Sequence, residues 1–461
     1  MYTIAFSDTP TKWIARVPLH GMKDIFHEND AKGLEAQALT MQFIKQNTDI
    51  PVPEVVHYDV TFENELGAPF IMMTALEGKP SYEVWYDTTC DPATLQRRRE
   101  NILKSIATAM IKLRFFSASK SGELEFEHAA TTTEDISTGK LRVKDIRNLH
   151  SVHLSGTSED IMFSDLGPFS HTQDYFRSLA LDSLPNRPFP DFARGQQKLL
   201  QIMIDAVPVV ENEQFVLAHP DFDVQNFLVS QEGFLTGVLD WDGVAAYPRC
   251  LGYARYPSWI TRDWDPLAYM YGSEKPGWHK KDPPETLRKF RRLYREIIEE
   301  ELGEHEAGAM VNSHLYEAID IAARNPVHSA AIVNLLARRC IPEPLFEVSI
   351  AHGSDDDEAD FAEGEGGEED EPVGSDEGCN SSTEADIGDD ESHLEASEDE
   401  DVGDGTDAAL SVDHEDDLHY IPEWVFDLYI ALGEERVPEA QIEMLRQKFR
   451  EVLTITTRIV E

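Results

Sequence analysis

Residues 215–243 read FVLAHPDFDVQNFLVSQEGFLTGVLDWDG, and three oxygen-bearing side chains stand out by type and spacing: Asp221, Asn226 and Asp240. Moving a phosphoryl group asks little covalent chemistry of a protein. It asks for a carboxylate beside the acceptor hydroxyl and for oxygen ligands that hold magnesium against the phosphates. Asp221, on a loop that follows an apolar strand, can take the hydroxyl proton. Asn226 lies five residues on, where the loop turns back into a strand, so its amide oxygen can reach a metal. A single Asp or Asn here is most often a turn residue or a cap. His219-x-Asp221-x4-Asn226, followed by apolar runs ending in Asp240-Trp241, is far more restrictive.

The element that must position them is a hairpin. NFLVS and FLTGVLD flank a Gln-Glu-Gly turn and read as two paired strands. The predicted catalytic hairpin, 214–242, returns Asp240 beside Asn226 although the two are about fourteen residues apart. Before it, YTIAF and KWIARVP predict a strand pair around the turn SDTPT. Leu34, Ala38, Met41 and Ile44 predict a helix from about Leu34 to Asn47. PEVVHYDVTF and APFIMMTAL predict two more strands, with a turn at Glu77-Gly78. A long helix is expected from about Pro92 to Phe116. Residues 121–195 read as irregular apart from a helix in HTQDYFRSLALDSL; another follows near Arg194–Ala206. Helices are also predicted in ETLRKFRRLYREIIEEEL, in SHLYEAIDIAARNPVHSAAIVNLLARR as two, and in IPEWVFDLYIALG and EAQIEMLRQKFREVLTITTRI. Strands first and helices after imply an α+β plan, a small β-rich lobe over 1–80 and a larger helical lobe over 81–352. The last helices, within 418–461, are expected to pack back on the helical lobe.

Composition narrows the function. The 461 residues carry a formal charge of −47. Between 353 and 417 there are 29 Asp and Glu and no Lys or Arg, a composition that cannot bury enough surface to offset chain entropy and is expected to be disordered. It would either solvate and space or tether a basic protein partner. The body is acidic and has no basic stripe, so nucleic-acid binding is not expected. No apolar stretch reaches the ~18–20 residues that span a bilayer, and MYTIAFSDTPTKW is not a secretory signal. Cys90, Cys250, Cys340 and Cys379 are scattered and read as free thiols. A cytoplasmic protein, with no membrane association, is expected.

HPDFDVQNFLV and GVLDWDG resemble the catalytic and metal-binding segments of the aminoglycoside-phosphotransferase and choline-kinase-like family, and above all its large fungal group. The resemblance covers about 2–120 and 210–340 and implies a protein-kinase-like two-lobe fold. It implies Asp221 as catalytic base, Asn226 and Asp240 as magnesium ligands, and His219 as loop support, with Trp241 packed beneath the metal site. WIARVP resembles the phosphate-contacting strand, which implies that Arg16 pins the phosphates; as a bare residue it also reads as a strand-edge charge. GLEAQALTMQFIKQN resembles the following helix and implies Glu35 as the ion-pair partner of Arg16; alone, Glu35 also reads as a charge favouring the helix start. APFIMMTALEGKP resembles the hinge that holds adenine through backbone groups from Met73 and Thr74 to Leu76. Asp223 reads as a solvated loop residue and Trp259 as core; Asp242 receives no assigned role.

The expected function is an ATP- and Mg2+-dependent kinase acting on a hydroxyl of a small-molecule substrate. The chain starts with the YTIAFSD segment already under way, so the strand and phosphate-covering turn that relatives place before it are expected to be missing. That makes a catalytically impaired binding protein the alternative, with the acidic tract serving interactions.

Overall fold

β-Branched and aromatic residues suit a pleated, half-buried surface, and the first lobe is built from four such segments. The computed structural model describes residues 1–7, 11–127, 141–151, 161–182, 191–269, 271, 281–342 and 421–454. β1 (Tyr2–Ala5) pairs antiparallel with β2 (Lys12–Arg16), Tyr2 opposite Ala15. Helix α1 (Glu28–Asn47) follows, then β3 (Val55–Asp59) and β4 (Phe70–Thr74), giving a sheet ordered β1-β2-β4-β3. β4 is central, with Phe70, Ile71 and Met73 buried, and α1 buries Leu34, Ala38, Met41 and Ile44 in the same core. The helix starts six residues before the apolar stripe does. Its first turn is set by a capping box between His27 and Asp30, which apolar periodicity cannot reveal.

β5 (Lys79–Pro80) and the short helix α2 (Ser81–Trp85) lead to α3 (Pro92–Ile111), whose N-cap Asp91 accepts from the Thr94 amide at 3.0 Å. After β6 (Ser117–Ala118), the region read as irregular instead forms strands: β7 (Gly122–Phe126), β8 (Leu141–Lys144), β9 (Ile146–Ser151) and β10 (Ile161–Leu166). The alternation in GELEF, with Leu124 buried, was a local signal. One partner of that strand is the nearby β8, but the other, Ala245–Pro248, lies over a hundred residues away, where no local pattern points. Helices Thr172–Asp182 and Asp191–Asp205 come next. Then follow β11 (Phe215–Leu217), β12 (Phe227–Val229), β13 (Leu235–Val238) and β14 (Ala245–Pro248).

These strands form two sheets that matter for chemistry. One is ordered β13-β12-β5, so the predicted hairpin joins the link between lobes. The other is ordered β6-β11-β14-β7-β8, with Leu217 opposite Ala246 and Ala246 opposite Gly122. The chain therefore leaves a strand into the Asp221 loop and returns from Asp240 into the neighbouring strand. A continuous apolar cluster, including Ile71, Ile102, Phe215, Phe227, Trp241, Trp259 and Phe290, runs beneath both.

Helices Pro284–Leu302, Ser313–Arg324, Pro326–Cys340, Glu423–Gly433 and Glu439–Thr454 complete the helical part. All described residues fall in one compact unit formed by 1–347 with 414–461; the acidic stretch 353–417 lies outside the described residues. Among those described, no helix is long and apolar enough to cross a membrane, and Cys90, Cys250 and Cys340 are free. The helix Glu423–Gly433 meets Asp191–Asp205 backbone to backbone. A Cβ on Gly195 would lie 1.8 Å from the Tyr429 carbonyl oxygen, and one on Gly433 would lie 1.9 Å from that of Asp191. Gly195→Ala and Gly433→Ala should each cost about 1–3 kcal/mol, the usual penalty of overpacking. Urea unfolding of the full chain measures this; an unshifted midpoint would show that the last helices do not pack here.

Candidate active site

The loop carrying Asp221 is shaped by its own polar groups. Asp223 accepts from the Val224 amide at 2.7 Å, and the Asn226 amide donates to the Asp223 carbonyl at 3.0 Å, closing the 3-10 turn Val224–Asn226. The Asn226 side-chain nitrogen donates to the Asp221 carbonyl and to its Oδ2, both at 2.8 Å. Gln225 Nε2 donates to the same Oδ2 at 3.1 Å. With its nitrogen committed to two oxygens, the buried Asn226 amide has its oxygen as the end able to take a metal. Asp221 itself is exposed.

Two arginines brace this loop. Arg262 pairs with Asp223 at 2.5 Å, so Asp223 is an ion-paired cap and not a solvated loop residue. Arg255 donates to the carbonyls of His219 (3.2 Å) and Pro220 (3.4 Å), the two residues before Asp221. Glu317, buried on the helix Ser313–Arg324, holds Arg255 at 3.5 Å and accepts from Ser258 Oγ and Thr261 Oγ1, both at 2.7 Å. Sequence reasoning missed this clamp. Its one signal was a lone acid on the apolar face of SHLYEAIDIAAR.

The hairpin brings Asp240 back. Phe227 opposes Val238, and the Leu239 amide donates to the Asn226 carbonyl at 2.8 Å, which sets Asp240 next to the pair. Asp240 adopts φ 59°, a left-handed conformation that Asp tolerates better than most residues. His219 Nε2 donates to the Leu239 carbonyl at 2.7 Å, and burial depresses its ring pKa to about 4, so it is neutral near pH 7. Trp241 is buried edge-on to that ring, centroids 4.8 Å apart, with its indole N–H on the Val238 carbonyl at 3.1 Å. Both residues therefore support the loop from below.

Arg16, the last residue of β2, reaches this corner, but its partner is not Glu35. Arg16 Nη1 donates to Asp242 Oδ1 at 2.7 Å, Nη2 takes Asp242 Oδ2, and Nη2 lies 3.4 Å from Asp240 Oδ1. Gln37 Nε2 donates to Asp242 as well. Glu35 is exposed and accepts from the Tyr58 hydroxyl at 3.4 Å. Two residues turn a helix by about 200°, so Gln37 faces the cleft and Glu35 faces away. The signal was available: Gln37 is a polar residue three after Leu34, on the buried stripe. Desolvation by the cleft walls raises the Asp242 carboxyl from its ordinary range, against the pull of Arg16, although 48% of the side chain is still exposed, so the upward push is a modest one.

On the other side of the hairpin, Leu76 packs over Gly237, where a Cβ would come within 2.8 Å of the Leu76 side chain. The amides of Thr74 and Ala75 are engaged, donating to the Glu54 carbonyl (2.9 Å) and the Lys12 carbonyl (2.8 Å). Met73 is held between β2 and β3, opposite Ile14 and Val55. Among the described residues no group of three or more His, Cys, Asp and Glu forms a metal cage. One amide oxygen and one carboxylate, completed by phosphate and water, is nevertheless the donor set magnesium favours, and Asn226 with Asp240 fits it.

The profile of the phosphotransferase enzyme family matches residues 3–284, and the chain belongs to that family. A subtelomeric hrmA-associated cluster protein of Aspergillus fumigatus is 22% identical over 276 residues, 50% of this chain and 53% of that protein. The altered inheritance of mitochondria protein 9 of Saccharomyces cerevisiae is 21% identical over 280 residues, 50% of this chain and 44% of that protein. The chain thus spans about half the length of the curated relatives it matches. A solved macrolide 2'-phosphotransferase type I is similar at 13% identity and a TM-score of 0.37, over 71% of this chain and 83% of that one.

The buried His219 makes a pH prediction. Its ring titrates near 6.5 when unfolded and at about 4 when folded. Its stabilising contribution is complete above pH 6.5 and is lost as pH falls from 6.5 towards 4, by at most about 3 kcal/mol. The stability advantage of wild type over His219→Gln, measured by urea unfolding, should shrink across that window. An advantage that stays constant would show a ring that protonates freely in the fold.

Proposed function

We propose that this chain is a kinase that moves the γ-phosphoryl group of ATP, with magnesium, to a hydroxyl of a small molecule. The observation that carries the reading is the Asn226 side chain, which grips Asp221 while its backbone carbonyl holds the strand that delivers Asp240. Asp221 would receive the acceptor's proton as the acceptor oxygen bonds to phosphorus and the bond to the β-phosphate oxygen breaks. Its Oδ2 is steered by Asn226 and Gln225, which leaves Oδ1 to meet the hydroxyl. Asn226 and Asp240 would hold magnesium, which when bound neutralises phosphate charge. Arg16 would contact the phosphates. Because Thr74 and Ala75 have spent their amides inside the lobe, the Leu76 backbone is the hinge group for adenine.

Asp221→Asn keeps the size of the side chain and removes the base. Turnover, read as ADP release with MgATP across a panel of hydroxylated amines, sugars and alcohols, should fall by about 10²–10⁴-fold while the unfolding midpoint stays near that of wild type. Turnover at the wild-type rate would remove Asp221 as base.

A further inference from the structure

We infer that Asp242 is the positioning residue that sets the Arg16 guanidinium for the nucleotide phosphates, and that Gln37 holds Asp242 in place for that task. The inference rests on the reading of the cleft as a nucleotide site. Side chains from two separate elements, Arg16 at the end of β2 and Gln37 on the buried face of α1, converge on the carboxylate of Asp242, which lies in the segment between Asp240 and β14. The two guanidinium nitrogens take the two carboxylate oxygens. Such a fork fixes the plane of the guanidinium as well as its position, which a single contact would not.

The side-chain types suit this role. A carboxylate receiving a two-pronged arginine still has lone pairs to satisfy, and the Gln37 amide donates to one without adding charge. An acid at position 37 would have nothing to donate and would repel Asp242, competing with it for Arg16. The anchor also stands two residues from Asp240, whose Oδ1 lies 3.4 Å from Arg16 Nη2. The phosphate-contacting cation and a metal ligand are thereby tied to one short stretch of chain. Arg16 would stay aligned as long as that stretch is ordered, without any carboxylate from α1.

The test is a binding cycle on the full chain, by calorimetric titration with MgATP, alongside urea unfolding to show that each variant is folded. Arg16→Ala and Asp242→Asn should each weaken MgATP binding by roughly 10–100-fold, the loss of a charge-assisted interaction. The double variant should bind within about twofold of Arg16→Ala, because Asp242 acts through Arg16. A merely structural role would instead give losses that multiply. Gln37→Glu should weaken MgATP binding by at least about fivefold, and Gln37→Ala by less. Multiplying losses, or an Asp242→Asn variant that binds as wild type does, would overturn the inference and leave the kinase reading standing. A wild-type chain that does not bind MgATP at millimolar concentration would overturn both. Should Asp242→Asn unfold, Gln37→Glu decides alone: unchanged binding overturns the inference.

Discussion

A buried amide nitrogen needs acceptors, and that of Asn226 finds them in a way that organises the centre of the molecule. Its nitrogen is spent on the carbonyl and carboxylate of Asp221, while its own backbone carbonyl takes the amide of Leu239. One residue therefore fixes the orientation of the proposed base, the closure of the loop that bears it, and the point at which the second strand returns. Replacing that amide with an apolar group of similar size would release the first two at once and leave only the backbone bond to Leu239.

The constraint works only because both ends of the segment are anchored to rigid structure. β11 enters the loop and β14 leaves it, and the two are neighbours in one sheet. The loop and the β12–β13 hairpin that follows it are thus strung between two adjacent strands, which hold both ends of the segment together. From below, the buried side chains of neutral His219 and Trp241 fill the space under it. From the helical side, Arg255 pulls on two carbonyls and is held in turn by Glu317. A buried charge left without a partner is costly, so this pair ties the loop to the helix Ser313–Arg324 more firmly than an exposed ion pair would.

Electrostatics at the corner follow a similar logic. Asp240 and Asp242 stand close together, and two carboxylates in one corner repel unless a cation lies between them. Arg16 lies there, with two bonds to Asp242 and a longer contact to Asp240. The longer contact leaves Asp240 freer to serve a metal, while the tight fork leaves Asp242 committed to the arginine.

Local contacts were legible in the sequence. Asp221, Asn226 and Asp240 sit on a loop and a hairpin whose closure involves neighbours in the chain, so spacing alone predicted their meeting. The stripe of α1 and the amphipathic pattern of Pro284–Leu302 were equally plain, because a helix writes its buried face into its own periodicity. What tertiary structure alone decided are the pairs that join distant chain segments: Arg16 with Asp242, 226 residues apart, Gln37 with Asp242, 205 apart, and β7 beside β14. Read from the sequence, the partner of Arg16 is Glu35, whereas the structure turns Gln37, two positions on, into the cleft. Which of them faces the cleft is a matter of rotational phase, and the phase of a helix against its neighbours is set by packing, not by the helix itself.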